Sequence, residues 1–146
     1  MGLETVLLAC KPGDEGQGTR LAQTAVDIAK PADARVVVAQ VFTDGEYDST
    51  AASLGVDEAD LTPERIADQH GTFGPVVDLL DAEGVEYELR TSIGPHADTI
   101  VDLAADADLV VIGGGKRSPA GKAIFGSTTQ KVMLNAPCPV TFVRRE

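Results

Sequence analysis

The stretch that decides the fold is a buried strand followed by a glycine-rich, cationic segment: LVVIGGG at residues 109–115, then KRSPAGKAIFGS at residues 116–127. The four aliphatic residues at its start are typical of a strand that is covered on both faces. The three glycines are expected to end this strand abruptly, and the apolar spacing that follows predicts a helix over 127–134. A buried strand that leads through glycines into a helix is the local pattern of α/β proteins.

The rest of the chain repeats this alternation of short apolar runs and amphipathic segments. Runs rich in aliphatic or β-branched residues predict strands, and apolar positions at helical spacing predict helices. The polar stretch 43–60 has no clear period and is expected to be an exposed loop, with a helical turn over 51–55 as the alternative for that part. The predicted strands are 5–10, 35–42, 85–91, 109–112 and 140–143, and the predicted helices are 19–29, which Pro31 stops, 62–83, which ends at Gly84, one that begins at 94–96, and 127–134.

Strands that alternate with helices predict one parallel sheet with helices on both faces. A chain of 146 residues can bury a core without disulfide or metal, so we expect one domain over residues 1–146. In such folds ligands bind beyond the carboxyl ends of the strands. The loops after the first and fourth predicted strands are therefore the candidate binding segments.

The charge distribution points to an anionic ligand at the second of these loops. The chain has a net charge of −11, which disfavours binding to nucleic acid and to anionic membranes. Residues 109–145 nevertheless contain no Asp or Glu and hold six of the twelve basic residues. A cationic segment in an acidic protein indicates a local site for a negatively charged ligand; the alternative is a patch that only balances the acidic remainder.

Several other classes of protein do not fit the sequence. No apolar run approaches the ~20 residues of a membrane span, and the start of the chain lacks the pattern of a signal peptide. Cys10 and Cys138 are too few for a zinc cluster or a disulfide framework, so we expect free thiols and a cytoplasmic protein. No nucleophile and base arrangement is recognisable, and His70 and His96 are expected to have solvent-exposed or packing roles. No catalytic residue and no metal ligand is assigned.

The glycine-rich segment fits phosphate but neither of two well-known phosphate loops. Glycine lets backbone N–H groups approach an anion, and the helix that begins near Gly126 and Ser127 offers unpaired donors. A Walker loop is excluded because Lys116 stands where glycine is required and Ala123 follows Gly121-Lys122. The glycines at 13–18 have the reverse of the dinucleotide spacing. The bland alternative is a tight turn at 113–115 and a simple N-cap at Ser127.

The whole chain resembles the universal stress protein family. The resemblance rests on VLLA at 6–9, VVVAQV at 36–41, LVVIG at 109–113 and, most specifically, FGSTTQKVMLNAPCPVTFV at 125–143. It implies a five-stranded parallel sheet of order 3-2-1-4-5, a Rossmann-like architecture shared with adenine nucleotide alpha hydrolases. It also implies a homodimer through the last strand, and ATP or another adenine nucleotide bound between the loops after the first and fourth strands.

Nucleotide-binding members carry the pattern GxxG, nine residues, then G and Ser or Thr. The resemblance implies that phosphate and ribose contacts come from Gly113, Gly126, Ser127 and Thr128. It also implies that Ala9 and Val41 line the adenine pocket. Two positions depart from the family pattern, since Lys116 replaces the second glycine and Lys11 replaces an acid after the first strand. The candidate site is therefore Ala9, Lys11, Val41, Gly113, Gly114, Lys116, Arg117, Lys122, Gly126, Ser127 and Thr128.

Three functions follow from this reading. The first is a stress-response or signalling module that binds adenine nucleotide or another phosphate-type anion. The second is a nucleotide-free homodimer that acts through protein partners, which the changes at Lys11 and Lys116 favour. The third is a weak ATPase, for which residues 109–145 supply no metal-binding acid. We expect a binding protein and not an enzyme; the metal requirement of the nucleotide is left open.

Overall fold

The computed structural model describes residues 3–10, 18–54, 73–114, 116–117, 123–124 and 126–144. Strands and helices alternate along these residues, as the sequence predicts. The strands are β1 (Thr5–Cys10), β2 (Arg35–Phe42), β3 (Tyr87–Ile93), β4 (Leu109–Gly114), β5 (Lys116–Arg117), β6 (Ala123–Ile124) and β7 (Val140–Arg144). The helices are α1 (Gly18–Ala32), α2 (Asp44–Leu54), α3 (Phe73–Ala82), α4 (His96–Leu103) and α5 (Ser127–Asn135), with a 3₁₀ turn at Ala104–Asp106.

The main sheet has five parallel strands in the order β3-β2-β1-β4-β7. Counted along the chain this is 3-2-1-4-5, so the predicted fold class and strand order are confirmed. The central β1 pairs with β2 on one side and β4 on the other, with Ala9 opposite both Ala39 and Ile112. The carboxyl ends of all five strands therefore lie at one edge of the sheet.

The two faces of the sheet bury separate apolar clusters. Alternate strand residues such as Val38 and Val111 pack against α1 and α3, and the intervening ones, such as Val37 and Ile112, pack against α4 and α5. Helices on both faces explain why β1, β2 and β4 are nearly continuous apolar runs. Among the described residues, no helix is long and apolar enough to span a membrane.

Two helices end in the same backbone motif. After α3, the N–H groups of Gly84 and Val85 donate to the carbonyls of Asp81 and Leu80, and Gly84 has φ +68°. This is a Schellman motif, in which a left-handed residue follows the last turn. It confirms the predicted stop at Gly84.

The end of α1 uses the same motif with Asp33 at the left-handed position, φ +56°. The Ala34 N–H donates to the Ala29 carbonyl at 2.9 Å. The prediction that Pro31 stops this helix is wrong, because α1 continues to Ala32. Proline lacks a donor, but its fixed φ is helical, so it is compatible with a last turn that then closes through Asp33.

The prediction of a loop over 43–60 is wrong for 44–54, where α2 runs from Asp44 to Leu54. The Glu46 N–H donates to Thr43 Oγ1 at 3.2 Å, and the Thr43 N–H donates to Glu46 Oε1 at 2.8 Å. This reciprocal pair is a capping box. The helix has almost no amphipathic pattern, so apolar periodicity could not reveal it, although the T-x-x-E signal was present at Thr43.

Smaller corrections concern the ends of other elements. β3 runs from Tyr87 to Ile93, not 85–91, and β4 continues through Gly113 and Gly114, which were expected to terminate it. The short β5–β6 hairpin was not predicted. The predicted helix start at Thr62, and the residues Lys11, His70 and Lys122, lie outside the described residues. Cys10 and Cys138 are free thiols, as expected.

Candidate functional site

The site begins with the two glycines that complete β4. Gly113 and Gly114 are buried and pair in register with Val143 and Arg144 of β7. They stay in the strand because a parallel neighbour supplies hydrogen-bond partners and because glycine permits φ +140° at Gly114. Their backbone therefore lies at the carboxyl edge of the sheet, where parallel α/β folds bind ligands.

The start of α5 is attached to these glycines by a buried threonine. Thr129 Oγ1 donates to the Gly113 carbonyl at 3.3 Å. A Cβ atom at Gly114 would lie 3.0 Å from the same Thr129 oxygen, closer than neighbouring atoms normally allow. The missing side chain of Gly114 thus lets the helix approach the strand. The sequence analysis did not select Thr129, whose only signal was the run of hydroxyl residues at 127–129.

The N-terminus of α5 presents unpaired backbone donors. Gly126 is the N-cap, in an extended conformation and without a side-chain cap, so the alternative of Ser127 as a simple N-cap is wrong. Ser127 is exposed and Thr128 is half-buried in the first turn. The first N–H groups of a helix have no intrahelical acceptor and carry a partial positive charge. This arrangement suits an anionic group.

Ala9 and Val41, the two residues expected near adenine, share the sheet face that carries α4 and α5. Both are buried and belong to the same apolar cluster as Ile112 and Val132 of α5. Ala9 is opposite Ile112, one residue before Gly113. The structure therefore brings together Ala9, Val41, the β4 glycines and α5 on one face near the carboxyl edge.

Of the basic residues in the segment 116–127, the structure describes Lys116 and Arg117 but not Lys122. The backbones of Lys116 and Arg117 pair with Ile124 and Ala123 in the β5–β6 hairpin, directly beyond β4. Arg144, which the sequence analysis counted as basic but did not assign to the site, is in register with Gly114 and exposed. A parallel pair shares a face, so Arg144 lies on the α5 side of the sheet. Arg144 becomes a candidate for the site only because β7 pairs with β4.

A polar contact joins the carboxyl ends of β2 and β3 close to Val41. Glu46 Oε1 lies 2.6 Å from His96 Nε2, and the Gly94 N–H donates to the Phe42 carbonyl at 2.8 Å. The first contact links the capping box of α2 to the start of α4. His96 is half-buried and has a structural partner, so of the two roles that were expected for it, solvent-exposed or packing, the structure fits the packing role. In the described part of the chain, no group of three or more His, Cys, Asp or Glu side chains could hold a metal ion.

Comparison with known proteins identifies the family. The model of the "Universal stress protein family" matches residues 3–144. The chain belongs to the universal stress protein family. A universal stress protein of Mycolicibacterium smegmatis is 39% identical over 69 residues, which are 44% of this chain and 52% of that relative. The matched stretch thus spans about half of that relative.

Solved universal stress proteins share the fold over the full chain. A universal stress protein of Archaeoglobus fulgidus, solved in complex with dAMP, is 25% identical with a TM-score of 0.64, covering 97% of this chain and 98% of that one. A second universal stress protein, solved in complex with cAMP, is 23% identical with a TM-score of 0.65, covering 99% of this chain and 98% of that one. The strand order observed in this universal stress protein is thus that of a known fold.

Proposed function

We propose that this universal stress protein binds an adenine nucleotide at the carboxyl edge of its sheet and acts as a stress-response or signalling module, not as an enzyme. The observation that carries the proposal is the contact between Thr129 and the Gly113 carbonyl, which holds the start of α5 beside the last residues of β4. The backbone donors of the helix N-terminus then lie beside the paired glycines that end β4.

The phosphate would bind at this junction. The N–H groups of Ser127 and Thr128 and their hydroxyls are the donors, and Arg144, in register with Gly114, would supply a positive charge at the same end of the sheet. Charge-assisted hydrogen bonds of this kind are roughly twice as strong as neutral ones. The sequence places Lys116, Arg117 and Lys122 in the same segment, and Lys11 after β1, as further neutralising groups.

The base would bind over the apolar end of the same face. Ala9 and Val41 are 1% and 0% exposed, so they would form the apolar floor beneath the base and not an open surface. Apolar surface with a few convergent polar groups is the usual composition of a cofactor site. The dAMP and cAMP complexes of the two related universal stress proteins support an adenine nucleotide over inorganic phosphate.

The test begins with ligand released from the purified, denatured protein, identified by mass spectrometry and absorbance, followed by calorimetric titration with AMP and ATP at near-cytoplasmic salt. Substituting Ser127→Asp should lower affinity about tenfold or more, because it places a carboxylate where the phosphate binds. The fold should survive this change, since an acid in the first turn favours the helix dipole.

Two control variants separate site effects from general charge effects. Ala105→Asp adds the same charge on an exposed residue at the opposite edge of the sheet and should leave affinity unchanged. Ser127→Ala removes one hydroxyl and should have a smaller effect than Ser127→Asp. If no nucleotide is released and neither AMP nor ATP gives heat, the proposal is wrong.

A specific observation favours the second candidate, a nucleotide-free homodimer that acts through protein partners. Lys116, which replaces the second glycine of the family pattern, is paired in the β5–β6 hairpin. If the purified protein releases no nucleotide and binds neither AMP nor ATP, the nucleotide-free homodimer becomes the favoured function. A measurable rate of phosphate release from ATP, lost in Ser127→Asp, would instead indicate an ATPase.

A further inference from the structure

A concave surface lies at the amino ends of the strands, at the opposite edge of the sheet from the proposed nucleotide site. It is a groove of about 150 Å³ at the amino ends of β1 and β2, between β3 and the end of α4. Leu7 and Val37 form its floor, and Leu103 and Ala107 line the helical side. These four residues belong to or pack against the apolar cluster on the α4/α5 face.

The groove has two arginines on its rim. Arg35 and Arg90 line it, and both guanidinium groups share one carboxylate, that of Glu88, at 3.5 and 3.2 Å. Arg35 Nε also donates to Thr5 Oγ1 at 3.5 Å. Each guanidinium has five N–H donors in a planar fork. One shared carboxylate at these distances leaves donors of both forks available to a second anionic group.

These features define the ligand that the groove would take. We propose that it binds a small organic monocarboxylate whose carboxylate meets Arg35 and Arg90 and whose apolar body lies on Leu7 and Val37. A cavity of about 150 Å³ in another protein accommodates benzene, so the ligand has the size of a single ring and a nucleotide is too large. Asp106 on the rim repels a second negative charge and so disfavours dicarboxylates and phosphate dianions.

The Glu88 carboxylate and a ligand carboxylate would compete for the same two arginines. Glu88 is in register with Val37 and already occupies part of both guanidinium forks. A ligand carboxylate must share or displace that partner. Removing the Glu88 charge should therefore strengthen binding, whereas removing either arginine should weaken it. A purely structural role for the Arg35–Glu88–Arg90 group would not give opposite effects.

The experiment is a titration of the isotope-labelled full chain with benzoate, followed by the backbone amide signals in NMR. Benzoate should shift the amides of Val37 and Leu103 with a millimolar dissociation constant, and benzyl alcohol and phthalate should bind about tenfold more weakly. Arg90→Gln should weaken benzoate about tenfold, the usual effect of losing a charge-assisted hydrogen bond. Glu88→Gln should strengthen it.

The matched control is Arg20→Gln, which removes the same charge from an exposed position on α1, across the sheet. Its benzoate affinity should equal that of the unaltered chain. The proposal is overturned if benzoate leaves the groove amides unshifted, if benzyl alcohol binds as well as benzoate, or if Arg20→Gln and Arg90→Gln behave alike. Titration with AMP follows the amides of Gly113 and Gly126 separately, so failure at one site leaves the other intact.

Discussion

Gly114 is the residue whose chemistry most constrains the proposed site. Its φ of +140° is rarely adopted by residues with a Cβ atom, and a Cβ would approach Thr129 Oγ1 to 3.0 Å. Both effects act at the point where β4 meets α5. A single missing side chain thus controls both backbone strain and the approach of the helix.

Substituting Gly114→Ala should destabilise the protein by about 1–3 kcal/mol, the usual cost of a residue held in a sparsely populated backbone region. The Thr129 hydroxyl must also move, so nucleotide affinity should fall with stability. Urea denaturation measures the first effect and calorimetry the second. Gly74→Ala in α3 is the control, because Gly74 is exposed, has open space around its Cβ position and lies outside the proposed site; equal losses in both variants would contradict this account.

At the scale of elements, helix ends are determined by backbone motifs and not by apolar pattern alone. α1 and α3 both end in Schellman motifs, one with Asp33 and one with Gly84 at the left-handed position. Glycine adopts this conformation without a Cβ penalty, and aspartate only at some cost. The chain therefore provides a matched pair for comparing the two residues.

Asp33→Gly should stabilise the protein by about 0.5–1 kcal/mol by relieving the left-handed strain at the end of α1. Gly84→Asp should destabilise it by a similar amount at the end of α3. Both are read from the midpoint of urea unfolding at an unchanged slope. A shift of the same sign in both variants would show that the motif does not control these helix ends.

At the scale of the whole molecule, the sheet has one edge that is expected to be covered by a second copy. β7 is an edge strand of the main sheet, and an unpaired edge favours association with another strand. Leu134 lies near the end of α5, just before β7 in the sequence, and its side chain is 83% exposed. The homodimer through the C-terminal strand stays a prediction.

Sedimentation at several concentrations should show a dimer, and Leu134→Glu should shift it toward monomer by placing a charge in the contact. Leu89→Glu is the control, since Leu89 is 44% exposed on β3, the edge strand at the far side of the sheet from β7. A monomer at all concentrations, or equal effects of the two substitutions, would argue against dimerisation through β7.

The sequence by itself determined the fold class, placed the strands of the main sheet to within two residues, and selected the segment that is proposed as the binding site. β1 and β2 were predicted to the residue because a strand buried on both faces must be apolar throughout, and that pattern is local. The strand order followed from the resemblance to a family. Helix α2 was missed because the Thr43–Glu46 capping box marks its start, whereas its sequence has no apolar spacing that predicts a helix.

Only the tertiary structure decided which distant residues meet. Thr129 and Arg144 became part of the candidate site through packing of α5 on β4 and pairing of β7 with β4. Gly113 and Gly114 belong to a strand because β7 supplies their partners, which no property of three consecutive glycines could show. The Arg35–Glu88–Arg90 group joins β2 to β3 across 53 residues of sequence. Such contacts depend on register between strands, and register is fixed only when the whole sheet assembles.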